Sequence, residues 1–289
     1  MQPFFTGSDW YLGAVDVEER FPYVRCLACG TVAAHPAPTP ETLRRAYANE
    51  YLPFGPPTLL ERLFEPIARR EARRVVTAAR IDGALLDVGC GSGKFMARLR
   101  ATGWAGPMRG LEPDAAAAGR ASDLLRVPVR IGGVEMLSTE PPELAAIILR
   151  HVIEHVPEPL DTLRELRSLL APGGVLYLGT PDAHTLSARV FGRFWHGYDP
   201  PRHLFAFTAE GMRALLGRAG FVVGREYWDF APQMWTGSLH HALARCSNPR
   251  WAALLSSNVN PVAAIPAVLG ATVERSLGRS TMYAVLARA

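Results

Sequence analysis

Leu85-Leu86-Asp87-Val88-Gly89-Cys90-Gly91-Ser92-Gly93 is the stretch whose reading decides the fold. An apolar run enters three glycines at alternate positions, and residues 93–102 then carry a helical pattern. The whole reads as a buried strand, a glycine turn and a helix. Glycines suit such a turn because they allow positive φ and let a ligand lie against bare backbone. In a doubly wound sheet the turn sits at the carboxyl edge of the first strand, where ligands bind. The dinucleotide fingerprint spaces its glycines G-x-G-x-x-G, whereas here they fall as G-x-G-x-G.

On either side of this stretch the pattern alternates in the α/β manner. Apolar strands are predicted at 84–88, 108–111, 127–131, 144–149, 175–180 and 221–226, with a last strand at 282–287. Helices are predicted at 93–102, 114–125, 158–170 and 208–219, and helical spacing also marks 58–80. Short, nearly continuous apolar strands suit a parallel sheet covered on both faces. The predicted fold is therefore α/β: a doubly wound, Rossmann-like, seven-stranded sheet with helices on both faces and an antiparallel last strand. A helical insertion, 231–279, precedes that last strand. Residues 1–57, rich in turn formers and aromatics, form a lead segment ahead of a domain at 58–289.

Composition narrows the function. The chain has 289 residues, a net charge of +4 and 48% apolar residues, enough for a sizeable core. The positive charge is nearly all arginine, Lys94 being the only lysine, and it is interleaved with acids rather than gathered in a stripe. A nucleic-acid partner is therefore not expected. Residues 1–10 lack a basic start followed by an apolar run, and 259–273, broken by Pro261 and Pro266, is too short to span a bilayer. The reading is a cytoplasmic protein. The aromatic insertion, with Trp228, Trp235, Leu239, Leu243, Trp251, Leu254 and Leu255 in or beside it, either packs against the sheet edge or forms a lid or a peripheral membrane contact.

A second marker follows the glycine turn. In Arg109-Gly110-Leu111-Glu112-Pro113-Asp114, Glu112 ends the second strand, where a carboxylate can accept hydrogen bonds from both hydroxyls of a ribose. That acid specifies an adenosine-type ligand and would serve a dinucleotide equally.

At this point the chain resembles a family, the class I S-adenosylmethionine-dependent methyltransferases. Residues 86–93 look like its first motif. Leu149-Arg150-His151-Val152-Ile153-Glu154-His155-Val156 resembles the motif after the fourth strand in the branch related to ubiquinone-biosynthesis O-methyltransferases. Leu169-Leu170-Ala171-Pro172-Gly173-Gly174 resembles the turn before the fifth strand, and Gly179-Thr180-Pro181-Asp182 its end. Phe194-Trp195-His196-Gly197-Tyr198-Asp199-Pro200-Pro201-Arg202-His203-Leu204 resembles a segment common in one branch. The ordered set covers residues 60–230 or so. The resemblance implies S-adenosylmethionine as cofactor. It places Asp87 near the methionine amino group, Gly89, Gly91 and Gly93 along the methionine portion, Glu112 on the ribose, and the stretch Gly132-Gly133-Val134-Glu135 beside the adenine. It also groups Arg150 with these cofactor residues. Relatives often carry an acid where Gly133 stands and another at the start of the fourth strand, where this chain has Ala145-Ala146.

Methyl transfer from a sulfonium is an in-line displacement, so the protein supplies alignment, water exclusion and, for a hydroxyl acceptor, a base. Histidine is the usual base. Candidates are His151, His155, His196 and His203, and at least one of His151, His196 and His203 is expected to line the pocket. The acceptor expected is a small molecule or a glycan- or lipid-linked group. No metal is expected: His151-Val-Ile-Glu154-His155 matches H-x-x-E-H but runs into Pro157 and Pro159 where a zinc peptidase needs a helix. Cys26-Leu-Ala-Cys29 is half of a zinc knuckle without a fourth ligand. The competing readings are an NAD-dependent dehydrogenase and a methyltransferase-like module without activity.

Overall fold

The computed structural model describes residues 1–9, 19–48, 59–79, 82–245, 261–280 and 282–289. A seven-stranded sheet carries the fold. In chain order its strands are β4 (Leu85–Val88), β5 (Met108–Glu112), β6 (Val129–Ile131), β7 (Leu144–Arg150), β8 (Leu170–Pro181), β10 (Val222–Asp229) and β11 (Met282–Arg288). Their spatial order is β10-β11-β8-β7-β4-β5-β6. The pairs β4–β5, β4–β7, β5–β6 and β7–β8 are parallel, and β11 runs antiparallel to both β8 and β10. The predicted sheet and its antiparallel last strand are both present.

Alternation along each strand assigns the two faces, because successive side chains point opposite ways. Leu86, Ile147, Leu149, Leu176 and Leu178 join one buried cluster with Leu163, Leu166, Met212 and Leu216. These last four lie on α5 (Pro159–Leu169) and α7 (Ala209–Arg218). Leu85, Ala146, Ile148, Val175 and Tyr177 join the other cluster. It is covered by Val75 of α2 (Leu59–Ala78), Met96 and Leu99 of α3 (Lys94–Ala101), and Ala121 and Leu125 of α4 (Ala115–Leu125). Helix starts follow capping chemistry: the Asp114 carboxylate accepts the Ala117 N–H at 2.6 Å, and the Thr208 hydroxyl accepts that of Gly211 at 3.0 Å.

Some boundaries move. β8 starts at Leu170, because Leu144 pairs with Leu170 before a register shift carries the ladder on to Val175. The turn expected at Pro172–Gly174 is thus absorbed into the strand as an irregularity. The 231–279 insertion contains α8 (Gln233–Arg245) and α9 (Pro261–Ser276); Trp251, Leu254 and Leu255 lie outside the described residues.

A second sheet was not foreseen. It orders β1 (Gln2–Gly7), β2 (Phe21–Arg25), β3 (Val32–Ala34) and β9 (Phe205–Ala206), all antiparallel. Pairing of Val32 with Ala206 and of Ala33 with Phe205 ties the lead segment to the chain just after His203. A short helix, α1 (Pro40–Ala48), follows β3. Among the described residues, no helix is long and apolar enough to cross a membrane.

Candidate active site

The glycine turn leaves β4 at the carboxyl edge of the sheet, in the middle of the strand order. Gly89, Gly91 and Gly93 all take left-handed backbone, with φ of 70°, 56° and 77°. A side chain would be strained at each position. Two of them are also crowded: a Cβ at Gly89 would lie 2.5 Å from Val152, and one at Gly93 would lie 3.0 Å from both Ala121 and Leu125. Gly93 therefore serves the packing of α3 on α4, while Gly91 faces the neighbouring strand.

Glu112 ends β5 beside that turn. Its Oε2 accepts the Gly91 N–H at 2.7 Å and its Oε1 accepts the Asp114 N–H at 3.0 Å. A carboxylate has about four acceptor positions, so two remain for a ligand. Burial raises the Glu112 carboxyl above its ordinary range, against the two backbone N–H groups that favour its charged form. Asp87, in β4 beneath the turn, is pushed up to about 7 by burial; Arg150 opposes the rise, while Glu112 and Glu71 add to it.

Arg150 ends β7. Its guanidinium is held by Glu71 of α2 (2.7 and 3.2 Å), which also accepts the Tyr177 hydroxyl at 2.9 Å, and it lies 4.2 Å over the Phe95 ring. The loop after β6 comes back to Glu112, whose carbonyl accepts the Gly132 N–H at 3.1 Å. The Gly133 N–H donates to the Glu135 carboxylate at 2.7 Å, and Val134 opens a short 3₁₀ turn. A Cβ at Gly133 would lie 3.0 Å from the other Glu135 oxygen. An acid therefore stands beside Gly133, supplied from two residues further on.

The histidines divide into two groups. His151 follows β7 with φ of 55°, a sparsely populated conformation for a residue with a side chain. Its N–H is fixed by the Gly179 carbonyl at 2.8 Å, its side chain is half exposed, and its Nδ1 lies 3.7 Å from Oε1 of Glu154. Glu154 is fully buried, and neither of its carboxylate oxygens has a hydrogen-bond partner. The rings of His155 and His203 meet edge to face at 4.6 Å. One carboxylate oxygen of Glu154 and one ring nitrogen from each of these two histidines lie within 4.8 Å of one another. Backbone pairing causes this meeting, since the Leu204 N–H donates to the Glu154 carbonyl at 2.8 Å. Burial pushes His155 down to about 4 and lowers His203 as well. Burial would raise Glu154, but the imidazoles of His151, His155 and His203 outweigh it and hold the carboxyl at about 2.

His196 belongs elsewhere. Its ring lies over Gly237 and 5.1 Å from that of His241, both on α8, and its N–H donates to Ser238 at 2.9 Å. Burial pushes it down to about 4, with Asp199 opposing.

The lead segment clamps the segment between His196 and His203. The buried guanidinium of Arg202 is bonded to Asp9, Asp199 and the Ala46 carbonyl at 3.1–3.3 Å. The Tyr23 hydroxyl donates to the His203 carbonyl at 2.9 Å, and the Tyr47 hydroxyl lies 2.9 Å from Nδ1 of His155. Glu154, Tyr47 and Glu71 were not among the expected site residues. The sequence signal for Glu154 was present in the H-x-x-E-H spacing; residues 153–155 form only a 3₁₀ turn, so the helical zinc-peptidase arrangement is not formed. Cys26 and Cys29 are free thiols.

Fold and turn together make this a doubly wound α/β domain with a ligand-binding edge at β4 and β5. The family model for a methyltransferase domain matches residues 51–225, more than half of the 289-residue chain, and the chain belongs to that family. A ubiquinone biosynthesis O-methyltransferase from Xanthomonas campestris pv. campestris (strain B100) is 35% identical over 113 residues, covering 38% of this chain and 46% of the relative. The chain thus matches about half the length of that curated relative. Among solved structures, a SAM-dependent methyltransferase from Archaeoglobus fulgidus superposes with a TM-score of 0.53 at 19% identity, over 80% of this chain and 98% of that one. The cyclopropane synthase MmaA2 from Mycobacterium tuberculosis gives 0.51 at 20% identity, over 82% and 87%. At such identities the likeness concerns the fold.

Proposed function

We propose that the chain transfers a methyl group from S-adenosylmethionine to an oxygen of a small-molecule or glycan- or lipid-linked acceptor. The observation that carries this reading is the Glu112 carboxylate joined at 2.7 Å to the Gly91 amide, at the mouth of a sheet whose β11 runs antiparallel between β8 and β10. Glu112 would take the ribose hydroxyls with its remaining acceptor positions, and Asp87 the methionine ammonium. The backbone at Gly133 and Val134 would border the adenine, with Glu135 supplying the acid that relatives carry at 133. Arg150, held by Glu71, would set the charge under Asp87.

In the reaction the acceptor oxygen forms a bond to the methyl carbon as the carbon–sulfur bond breaks, and the sulfonium leaves as a neutral thioether. The hydroxyl proton passes to the imidazole of His151, with the Glu154 carboxylate 3.7 Å away to stabilise the resulting cation. Ile265, Leu269, Val273 and Leu277 recur every fourth residue along and just past α9 and are 51–67% exposed. Such an apolar stripe supports the lipid-linked end of the acceptor range.

The test is transfer of labelled methyl from the donor to hydroxylated acceptors in an extract, by the intact chain and by His151→Ala. Turnover falls by about 10²–10⁴-fold in the variant while donor affinity stays within about twofold. Equal turnover in the two proteins removes His151 as the base, and no transfer by the intact chain removes the reading.

A further inference from the structure

A buried carboxylate whose oxygens lack hydrogen-bond partners is costly unless an opposite charge accompanies it. Glu154 is in that position: it is 0% exposed and both oxygens are unpartnered. The neighbouring buried cation, Arg202, is already bonded to Asp9, Asp199 and the Ala46 carbonyl.

The two histidines beside Glu154 are set in a particular tautomer. His155 Nδ1 lies 3.0 Å from the Arg202 carbonyl, and His203 Nδ1 lies 2.8 Å from that of Gly197. A carbonyl can only accept, so both Nδ1 atoms carry the proton and both Nε2 atoms hold a lone pair. Tyr47, 2.9 Å from His155 Nδ1, then shares that proton as an acceptor. An imidazole whose Nδ1–H is tied to a main-chain carbonyl is the outer-shell arrangement that orients metal-binding histidines.

We propose that Glu154, His155 and His203 form a site for a first-row divalent cation of the Zn²⁺ type, held by one carboxylate oxygen and two imidazole nitrogens. Three ligand groups within 4.8 Å of one another reach a common ion at about 2.0–2.2 Å once side-chain rotation draws them in by an ångström or so. Two nitrogens and one oxygen select a borderline transition ion over calcium or magnesium, which prefer oxygen alone. Three protein ligands leave a position for an oxygen ligand, and a cation there lowers the pKa of a bound hydroxyl. His151 stays outside the ligand set, 3.7 Å from Glu154. The site stands apart from the identity of the methyl acceptor, and its test is direct binding.

The full chain, stripped with a chelator and dialysed, is titrated with Zn²⁺ by calorimetry and with Co²⁺ by absorption. One equivalent binds, and the Co²⁺ spectrum lacks a thiolate charge-transfer band. Glu154→Gln and His203→Gln each weaken binding by more than about a hundredfold, beyond the roughly 10–100-fold that an outer-shell loss costs. The Cys26→Ser/Cys29→Ser double variant binds as tightly as the parent. Circular dichroism confirms the fold of each variant, and His155→Gln, at a half-buried ring, gives the same loss if Glu154→Gln does not fold. Absence of a bound equivalent in the parent overturns the proposal. So does binding that survives Glu154→Gln and His203→Gln but is lost with the two cysteines.

Discussion

On the proposed cofactor side of the site, Gly91 meets Glu112 across 21 residues and two adjacent parallel strands. On the histidine side, Arg202 meets Asp9 across 193 residues and Tyr23 meets the His203 carbonyl across 180. The first side is one strand–turn–helix unit and its neighbour. The second is two loops at the sheet edge held in place by a segment from the other end of the chain. A local unit with a glycine turn keeps its geometry from sheet register alone. Loops need outside clamps, and here the clamps are a buried ion pair and antiparallel pairing of β3 with β9.

The largest effect expected from this contrast is at Arg202. Arg202→Met leaves Asp9 and Asp199 buried without their cation, so unfolding free energy falls by about 3–5 kcal/mol in a denaturant titration. Affinity of the folded fraction for S-adenosylhomocysteine changes by no more than about twofold, as for distant independent sites. Equal losses in stability and affinity would show that the two sides form one unit.

Glu112→Ala should do the reverse. Loss of charged hydrogen bonds to a ribose costs about 1.5–3 kcal/mol, so affinity for S-adenosylhomocysteine falls roughly 10–150-fold by equilibrium dialysis. The circular dichroism of the histidine side, including its tyrosine signals, stays as in the parent. An unchanged affinity would take Glu112 out of the cofactor site.

The cofactor side also carries a pH dependence. Asp87 is raised by burial to about 7, so the folded chain binds a proton that the unfolded chain has released. Between the ordinary aspartate pKa near 3.9 and about 7, the unfolded state binds fewer protons, and this carboxyl's contribution to stability declines as pH rises. A ligand ammonium group beside Asp87 reverses the preference, because it favours the ionised carboxylate. Affinity for S-adenosylhomocysteine should therefore rise between pH 5.5 and 7, by at most about tenfold per unit, and level off above. Asp87→Asn flattens that rise; a slope that persists in the variant would assign it to another group.

The smallest effect is expected at Glu135, whose exposed carboxylate accepts the Gly133 amide. Glu135→Ala should weaken cofactor binding by only about 0.5 kcal/mol, read by the same dialysis. A loss above tenfold would mean that this acid holds the adenine as strongly as Glu112 is proposed to hold the ribose.

Legibility in the sequence follows the same division. The sheet was readable because Leu85 and Leu86, Ala146 and Ile147, and Val175 and Leu176 alternate between two buried faces, and glycines at positive φ punctuate β4. Asp87, Gly91 and Glu112 came with that pattern. The second sheet was not readable: β9 is two residues long, and nothing local in Phe205–Ala206 announces a partner in Val32–Ala34. Nor does the sequence show how α8 draws His196 away from the other candidate bases. Gly237 leaves room for the His196 ring, while the hydrogen bond from the Leu204 N–H to the Glu154 carbonyl carries His203 to Glu154. Spacing gives which residues share an element, but pairing between remote segments decides which side chains meet.

Calorimetry on the intact, folded chain tests the central claim most directly, with S-adenosylmethionine, S-adenosylhomocysteine and NAD titrated in turn. The arrangement of Glu112 and the glycine turn predicts one equivalent of each adenosylated sulfur compound at micromolar affinity or better, and no heat from NAD. Silence from both sulfur compounds, or saturable binding of NAD in their place, would contradict it.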